Sequence, residues 1–222
     1  MNTASILLQN QNFVMHPSGV LFWQERSTLI ISDVHLGKIS HFRKFGAAVP
    51  QKAVGQNFMV MTGVIQHFKP TVIIFLGDLF HSSVNKEWQF FEKWIATLTA
   101  KIILVSGNHD IISPLRYEDI GVQVSKEIIW EDFLLTHHPE EREGLFNFSG
   151  HVHPAIRLHG IGRQSVRLRC FFRTKNQMIL PAFGEFTGNY TMKPTPGCEA
   201  YALLGDTVLQ VPLKETKRRR RF

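Results

Sequence analysis

At 222 residues, 44% hydrophobic and 19% charged, the chain has enough apolar side chains for one sizeable core and is not globally disordered. No apolar run approaches the roughly 20 residues that span a bilayer, the opening MNTASILLQNQNF lacks the basic and long apolar regions of a secretory signal, and Cys170 and Cys198 are too few for a disulfide framework. A reduced, cytoplasmic protein with no membrane partner is expected, and the net charge of +7, part of it from the tail Lys217-Arg218-Arg219-Arg220-Arg221, suits a polyanionic partner.

Two strands are expected first, Asn12–Met15 and Val20–Gln24, joined at His16-Pro17-Ser18-Gly19, whose Pro and Gly suit a turn. Thr28–Ser32 is a short β-rich run. A helix follows over Gln51–Phe68, then a buried strand over Thr71–Leu76. Asn85 is placed to cap a second helix through Leu98, with Trp88, Phe91, Trp94, Ile95 and Leu98 on one face. Ile102–Val105 is another apolar strand. Beyond it Glu127–Trp130, Phe133–Leu135, Leu145–Phe148, Val166–Phe172, Met178–Leu180, Tyr201–Leu204 and Thr207–Val211 read as strands. Strand–helix–strand–helix–strand followed by a strand-rich half predicts an α/β fold: a largely parallel sheet, a second sheet packed face to face on it, and helices outside. No repeat or linker divides the chain, so one domain over residues 1–214 and a disordered basic tail over 215–222 are expected.

Five polar clusters each follow an apolar strand immediately. They are Ser32-Asp33-Val34-His35, Gly77-Asp78-Leu79-Phe80-His81, Gly107-Asn108-His109-Asp110, Thr136-His137-His138-Pro139 and Gly150-His151-Val152-His153. Ligands of open α/β sheets bind beyond the carboxyl ends of the strands, so five such ends can converge on one site. Carboxylate, imidazole and amide oxygen without thiolate is the donor set of borderline divalent metals. Seven such ligands are too many for one ion that also keeps water, but they suffice for two ions if one carboxylate bridges. A single Asp-x-His or His-x-His means little, since most bind nothing. Five clusters, each at a strand end, are hard to reach by accident.

In this order, DVH, GDLFH, GNHD, the HH pair and GHVH resemble the calcineurin-like metallophosphoesterase superfamily, over roughly Ile30 to Pro154. The resemblance implies a four-layer α/β/β/α sandwich of two mixed sheets. It also implies two divalent ions, manganese first, with iron, zinc and magnesium as alternatives. Carried over residue by residue, it assigns Asp33, His35 and His153 to one ion, Asn108, His137 and His151 to the other, and Asp78 to both. His137 is preferred over His138 because it comes first after FLLT, where the family's ligand sits. His109 is implied as general acid for the leaving alkoxide; Asp110, next to it, could orient the imidazole. His81 either supports ligands or a bound water, or is a satisfied structural histidine. Lipid-A-precursor hydrolases of the superfamily typically have Arg where this chain has His109, so GNHD favours the nuclease-like branches. Further out, DVHLGK followed by HFRKFGAAVP, the segment LRCFF, and LPAFGEFTG look like the ligase-associated DNA damage response endonucleases, over almost the whole chain. That narrower resemblance implies a DNA nuclease or phosphodiesterase of repair, with a DNA ligase and a helicase as partners.

Lys38, Phe42 and Arg43 are the candidate substrate contacts, because basic groups beside an aromatic ring can grip a phosphate and stack a base. The alternative for His41-Phe42-Arg43-Lys44 is a solvated helix start with Phe42 in the core. Arg167 and Arg169 alternate with Val166, Leu168 and Cys170 and read as the solvent side of a half-buried strand. The basic tail is either a DNA arm or a solubilising appendage. Two rival readings remain: a small-molecule phosphatase or cyclic-nucleotide phosphodiesterase on the same site, and a non-catalytic scaffold, against which the full ligand set argues.

Overall fold

A computed structural model describes residues 1–38, 52–81, 83–160, 162, 164–184 and 187–212. Seven strands run in spatial order through the first sheet: β1 (Ala4–Leu8), β2 (Gln11–Met15), β3 (Leu21–Trp23), β4 (Thr28–Ile31), β5 (Val72–Leu76), β6 (Lys101–Val105) and β7 (Val122–Ser125). The first four are antiparallel neighbours, and β4 to β7 are parallel. Parallel neighbours need crossovers, and these supply the helices α1 (Lys52–Phe68) and α2 (Lys86–Ile95). Consecutive right-handed crossovers running one way along a sheet lie on one face of it. Accordingly Met61 and Val64 of α1, Trp88, Phe91 and Ile95 of α2, and Tyr117 of the short α3 (Pro114–Glu118) pack together with Leu29, Ile31, Ile73 and Phe75.

The second sheet contains β8 (Ile128–Trp130), β9 (Phe133–Leu135), β10 (Phe146–Ser149), β13 (Gln177–Ile179), β12 (Ser165–Arg173), β11 (Pro154–His159) and β14 (Tyr190–Thr191) in that order. β15 (Glu199–Leu204) joins along β12 and carries β16 (Thr207–Val211). β9, β10 and β13 are mutually parallel. Both sheets are therefore mixed, and they pack face to face as expected. Between them lies a core of large aromatics: Phe13 sits 5.1 Å from Trp23 and 4.8 Å from Phe148, and Trp23 sits 4.8 Å from Phe133, measured between ring centroids. Losing one such ring would cost about 3–5 kcal/mol. The described helices all belong to the first sheet. On the far face of the second, Ile156, Cys170 and Phe172 are covered by Met192 and Cys198.

Most expected elements are present within a residue or two, and Asn85 caps α2 through its side-chain oxygen, which accepts from the N–H of Glu87 and Trp88. β1, β7, β11, β14 and α3 were not expected. β1 is paired through a two-residue turn with Gln9 and Asn10 both at positive φ (45° and 61°), a hairpin geometry that needs no glycine when Asn supplies it. β11 begins with Pro154, directly after a polar motif, and so hides its start. Phe42, Arg43 and the basic tail lie outside the described residues, and no described helix is long and apolar enough to cross a membrane.

Candidate metal centre

Every polar cluster leaves the carboxyl end of a parallel strand. Asp33 and His35 follow β4, Asp78 follows β5, Asn108 and His109 follow β6, His137 follows β9, and His151 and His153 follow β10. The two sheets thus bring five loops to one edge of the sandwich. The first two loops run alongside each other: the N–H of His35 donates to the Asp78 carbonyl (2.9 Å), Leu36 to Leu79 (2.8 Å), and His81 to Leu36 (2.8 Å).

The loops are strained where the candidate ligands sit. Asp33, His35, Asp78, His151 and His153 all have positive φ, between 49° and 65°. Each such residue costs of order 1–3 kcal/mol and persists only where its surroundings over-determine it. Close approach is the other local requirement. A Cβ on Gly150 would collide with Ser32 Oγ and Asp33 Oδ2, and one on Gly107 would collide with the Asp78 carboxylate.

Two donor sets result. In the first, His153 donates Nδ1–H to the Gly188 carbonyl (2.9 Å), which fixes its tautomer and turns the Nε2 lone pair inward. That nitrogen lies 3.2 Å from Asp33 Oδ1 and 3.4 Å from His35 Nε2. Asp33 Oδ1 is buried with no hydrogen-bond donor, while Oδ2 accepts from Ser32 Oγ and from the His151 N–H (2.9 Å). In the second set, His137 donates Nδ1–H to the Leu76 carbonyl (2.9 Å). Its Nε2 then faces Asn108 Oδ1 (3.0 Å), His151 Nδ1 (3.2 Å) and Asp78 Oδ1 (3.4 Å). Asp78 spans both: Oδ1 looks to His137 and Oδ2 to His35, 3.8 Å away. Buried lone pairs and carboxylate oxygens aimed at one another repel unless a cation lies between them, so the donors present fit two divalent ions.

Electrostatics agree. Burial pushes His35 down to about 3. Burial, with His138 and His137 close by, also lowers His151. Burial opposes ionisation of Asp33, but the neighbouring His153 imidazole and the Ser32 hydroxyl outweigh it and hold the carboxyl below its ordinary value. Burial likewise opposes protonation of His153, yet Asp33 and the Gly188 carbonyl hold it above its usual range. A proton on His153 is therefore the natural competitor of a metal at the first set.

The remaining candidates lie around these two sets. His109 is exposed at the rim: its N–H donates to Asp78 Oδ1 (2.9 Å), and its ring is 4.5 Å from that of His81, which also lies 5.4 Å from His35. Lys38 is half-buried beside the site, where burial lowers its pKa against the pull of Asp78 and Asp33. Asp110 is turned away from the His109 imidazole. Its Oδ1 accepts from Leu79 (2.9 Å) and Phe80 (3.1 Å), and its Oδ2 from Gly107 (2.8 Å), stapling two ligand loops together. The exposed His138 ring lies 4.0 Å from that of His151 and edge-to-face 4.8 Å from that of His137, so it joins the rim of the second set.

Two supports were not foreseen from sequence. Glu87, buried in the first turn of α2, accepts from the Gly37 N–H (2.7 Å) and ties that helix to the first ligand loop. Among the described residues, the segment after β13 adds no candidate metal ligand but holds those of the first set. Phe183 and Gly184 N–H donate to the Ser32 and Asp33 carbonyls (2.9 and 3.1 Å), Gly188 receives His153, and Arg169 Nη1 donates to the carbonyls of Ala182 (2.9 Å) and Phe183 (3.4 Å).

The family model described as calcineurin-like phosphoesterase matches residues 26–162, which include all seven candidate ligands. The chain belongs to that family. Metallophosphoesterases of this kind use divalent metals to hydrolyse phosphoester bonds, and the clustered His and Asp groups here could hold such ions. Among solved structures, a nuclease from Pseudomonas putida, MPE, is 26% identical and superposes with a TM-score of 0.80, covering 95% of this chain and all of its own. A protein of unknown function from Aquifex aeolicus is 19% identical (TM-score 0.42, 57% of this chain and 78% of that one). Yfce, a phosphoesterase from E. coli, is 13% identical (TM-score 0.40, 83% and 97%). No curated protein matches the chain.

Proposed function

We propose that this metallophosphoesterase hydrolyses phosphodiester bonds of nucleic acid, most naturally DNA, with two divalent ions, manganese first, and that it serves DNA repair in the cytoplasm. The observation that carries the chemistry is Asp78, whose two oxygens face two separate donor sets. The substrate class rests on the likeness to the Pseudomonas nuclease, on His109 in the GNHD motif, and on the net charge of +7. A DNA ligase and a helicase are the partners that the sequence resemblance suggests.

In this reading Asp33, His35 and His153 hold one ion, Asn108, His137 and His151 the other, and Asp78 both. When bound, the ions make a water acidic enough to attack near neutral pH and offset charge on the phosphoryl oxygens. The protein does the rest. Leu76 and Gly188 fix the tautomers of His137 and His153, so both ligands present a lone pair without rearrangement. His109, exposed at the rim with its backbone pinned to Asp78, donates a proton to the departing alkoxide oxygen. His81 packs its ring against His109 and orients it, and Lys38, Phe42 and Arg43 bind the phosphate backbone and a base. Asp110 positions two ligand loops and takes no part in proton transfer.

Hydrolysis of a monoester, a small diester, a cyclic nucleotide and DNA, each with Mn²⁺, Mg²⁺ and Zn²⁺, tests this. Cleavage of DNA is the expected result. Cleavage of the small diester or cyclic nucleotide with DNA left intact would transfer the site to a small-molecule phosphodiesterase.

A further inference from the structure

We infer that the β11–β12 hairpin is a phosphate-binding ridge that carries the strand flanking the scissile bond away from the metal centre. The inference rests on the nucleic-acid reading above and adds where that strand runs. β11 starts at Pro154, directly after the candidate ligand His153, so the hairpin springs from the centre itself. Side chains alternate along β12: Cys170 and Phe172 face the outer cluster, whereas Phe171 faces the core between the sheets. Arg169 and Arg167 share the side of Phe171, the side turned towards the first sheet and its ligand loops. Arg157 lies directly opposite Arg167 in the antiparallel register, hence on the same face.

Arg157 and Arg167 are both exposed, and among the described residues neither pairs with a carboxylate. Like charges directly opposite across a sheet destabilise it. Such a pair is expected where an anion is to be bound, and here a second feature aims it. Arg157 donates to Ser165 Oγ (3.4 Å), which holds its guanidinium along the ridge. Arg169, the next residue inward on that face, braces the turn that supports Asp33 and His153. The row thus runs from beside the candidate ligand His153 to two exposed guanidinium groups that, among the described residues, no carboxylate neutralises. Arg157 is four residues beyond His153, about 13 Å along a strand. For a duplex lying along the ridge, with one phosphate of a strand per 3.4 Å of helix axis, that is roughly four phosphates from the bond cleaved.

The test compares Arg157→Gln/Arg167→Gln with the wild-type enzyme on bis(p-nitrophenyl) phosphate and on oligonucleotides of about two and about twelve nucleotides, across a salt series. Turnover of the small diester and of the dinucleotide should be unchanged. The KM for the longer oligonucleotide should rise by on the order of tenfold, with kcat kept. Its dependence on log salt should become shallower by up to about 0.7–0.9 per lost contact. Arg157→Lys/Arg167→Lys should restore the salt slope. An unchanged KM for the long oligonucleotide overturns the ridge, and so does an equal loss on all three substrates, which would mean a distorted centre. If the wild-type enzyme cleaves the small diester but no oligonucleotide, the nucleic-acid reading itself fails, a result distinguishable before any variant is made.

Discussion

Asp78 divides its carboxylate between two donor sets, Oδ1 towards His137 and Oδ2 towards His35. Replacing it by Asn keeps the shape but removes the charge that offsets repulsion between two cations. Asp78→Asn should therefore lose bound metal and at least about 10²–10³-fold in turnover, the scale of losing one preorganised electrostatic contact. Full metal content with normal turnover would refute its bridging role. His109 makes a different demand. His109→Ala should keep both metals, because the residue contributes only its backbone N–H to Asp78. With an alkoxide leaving group it should lose about 10²–10⁴-fold, but little with p-nitrophenolate, which departs without protonation. Equal losses on both substrates would make His109 a binding residue and not the acid. The seven candidate ligands could be proposed from sequence because metal chemistry favours their types and strand ends gather them, and the structure brings them to one edge of the sandwich. The role of Asp110 was not, since adjacency in sequence suggested His109 as its partner while the backbone fold gives it three amides of other residues.

Elements explain why strained loops hold their shape. Six parallel strand ends meet at the centre's edge; five supply donors, and the sixth, β13, supplies the turn that supports two of them. LPAFGEFTG was visible in the sequence, but nothing in its composition says that Phe183 and Gly184 will bond to the strand end before Asp33. That contact joins segments about 150 residues apart and exists only once the two sheets pack. The same holds for Glu87, which reads as an ordinary surface acid of an amphipathic helix until α2 is laid against Gly37. Arg169, expected on the solvent side of its strand, instead braces the turn. Arg169→Met should weaken metal binding at the set of Asp33, His35 and His153 by about 10–100-fold, the usual size of an outer-sphere effect. The second ion should bind as before, so a calorimetric Mn²⁺ titration should separate two events in the variant. Equal weakening of both would show that the turn supports the whole centre and not one half of it.

At the scale of the molecule, stability and activity answer to different groups. His16, buried where the β2–β3 turn meets α1, is depressed to about 4 by burial, with His67 and the N-terminus adding positive charge nearby. Its folded pKa lies below the unfolded value near 6.5, so its contribution is intact above pH 6.5. It fades as pH falls towards 4, because the unfolded chain takes the proton first. The urea midpoint should drop over that window, and His16→Asn should flatten part of the drop; an identical pH profile in the variant would contradict this. Fold class was legible because hydrophobic runs alternating with amphipathic helices leave few arrangements, two of which share a parallel sheet. The short edge strands β7 and β14 were not, since so few residues give periodicity little to act on, and neither was β11, whose Pro start follows a polar motif. The claim joining these scales is that two ions, held by two donor sets around Asp78, cut nucleic acid. It is tested most directly by titrating metal-free protein with Mn²⁺ while following cleavage of an oligonucleotide. Activity should rise cooperatively and saturate at about two ions per chain, as a two-metal site requires. Saturation at one ion, or a fully loaded protein that leaves the oligonucleotide whole, would contradict it.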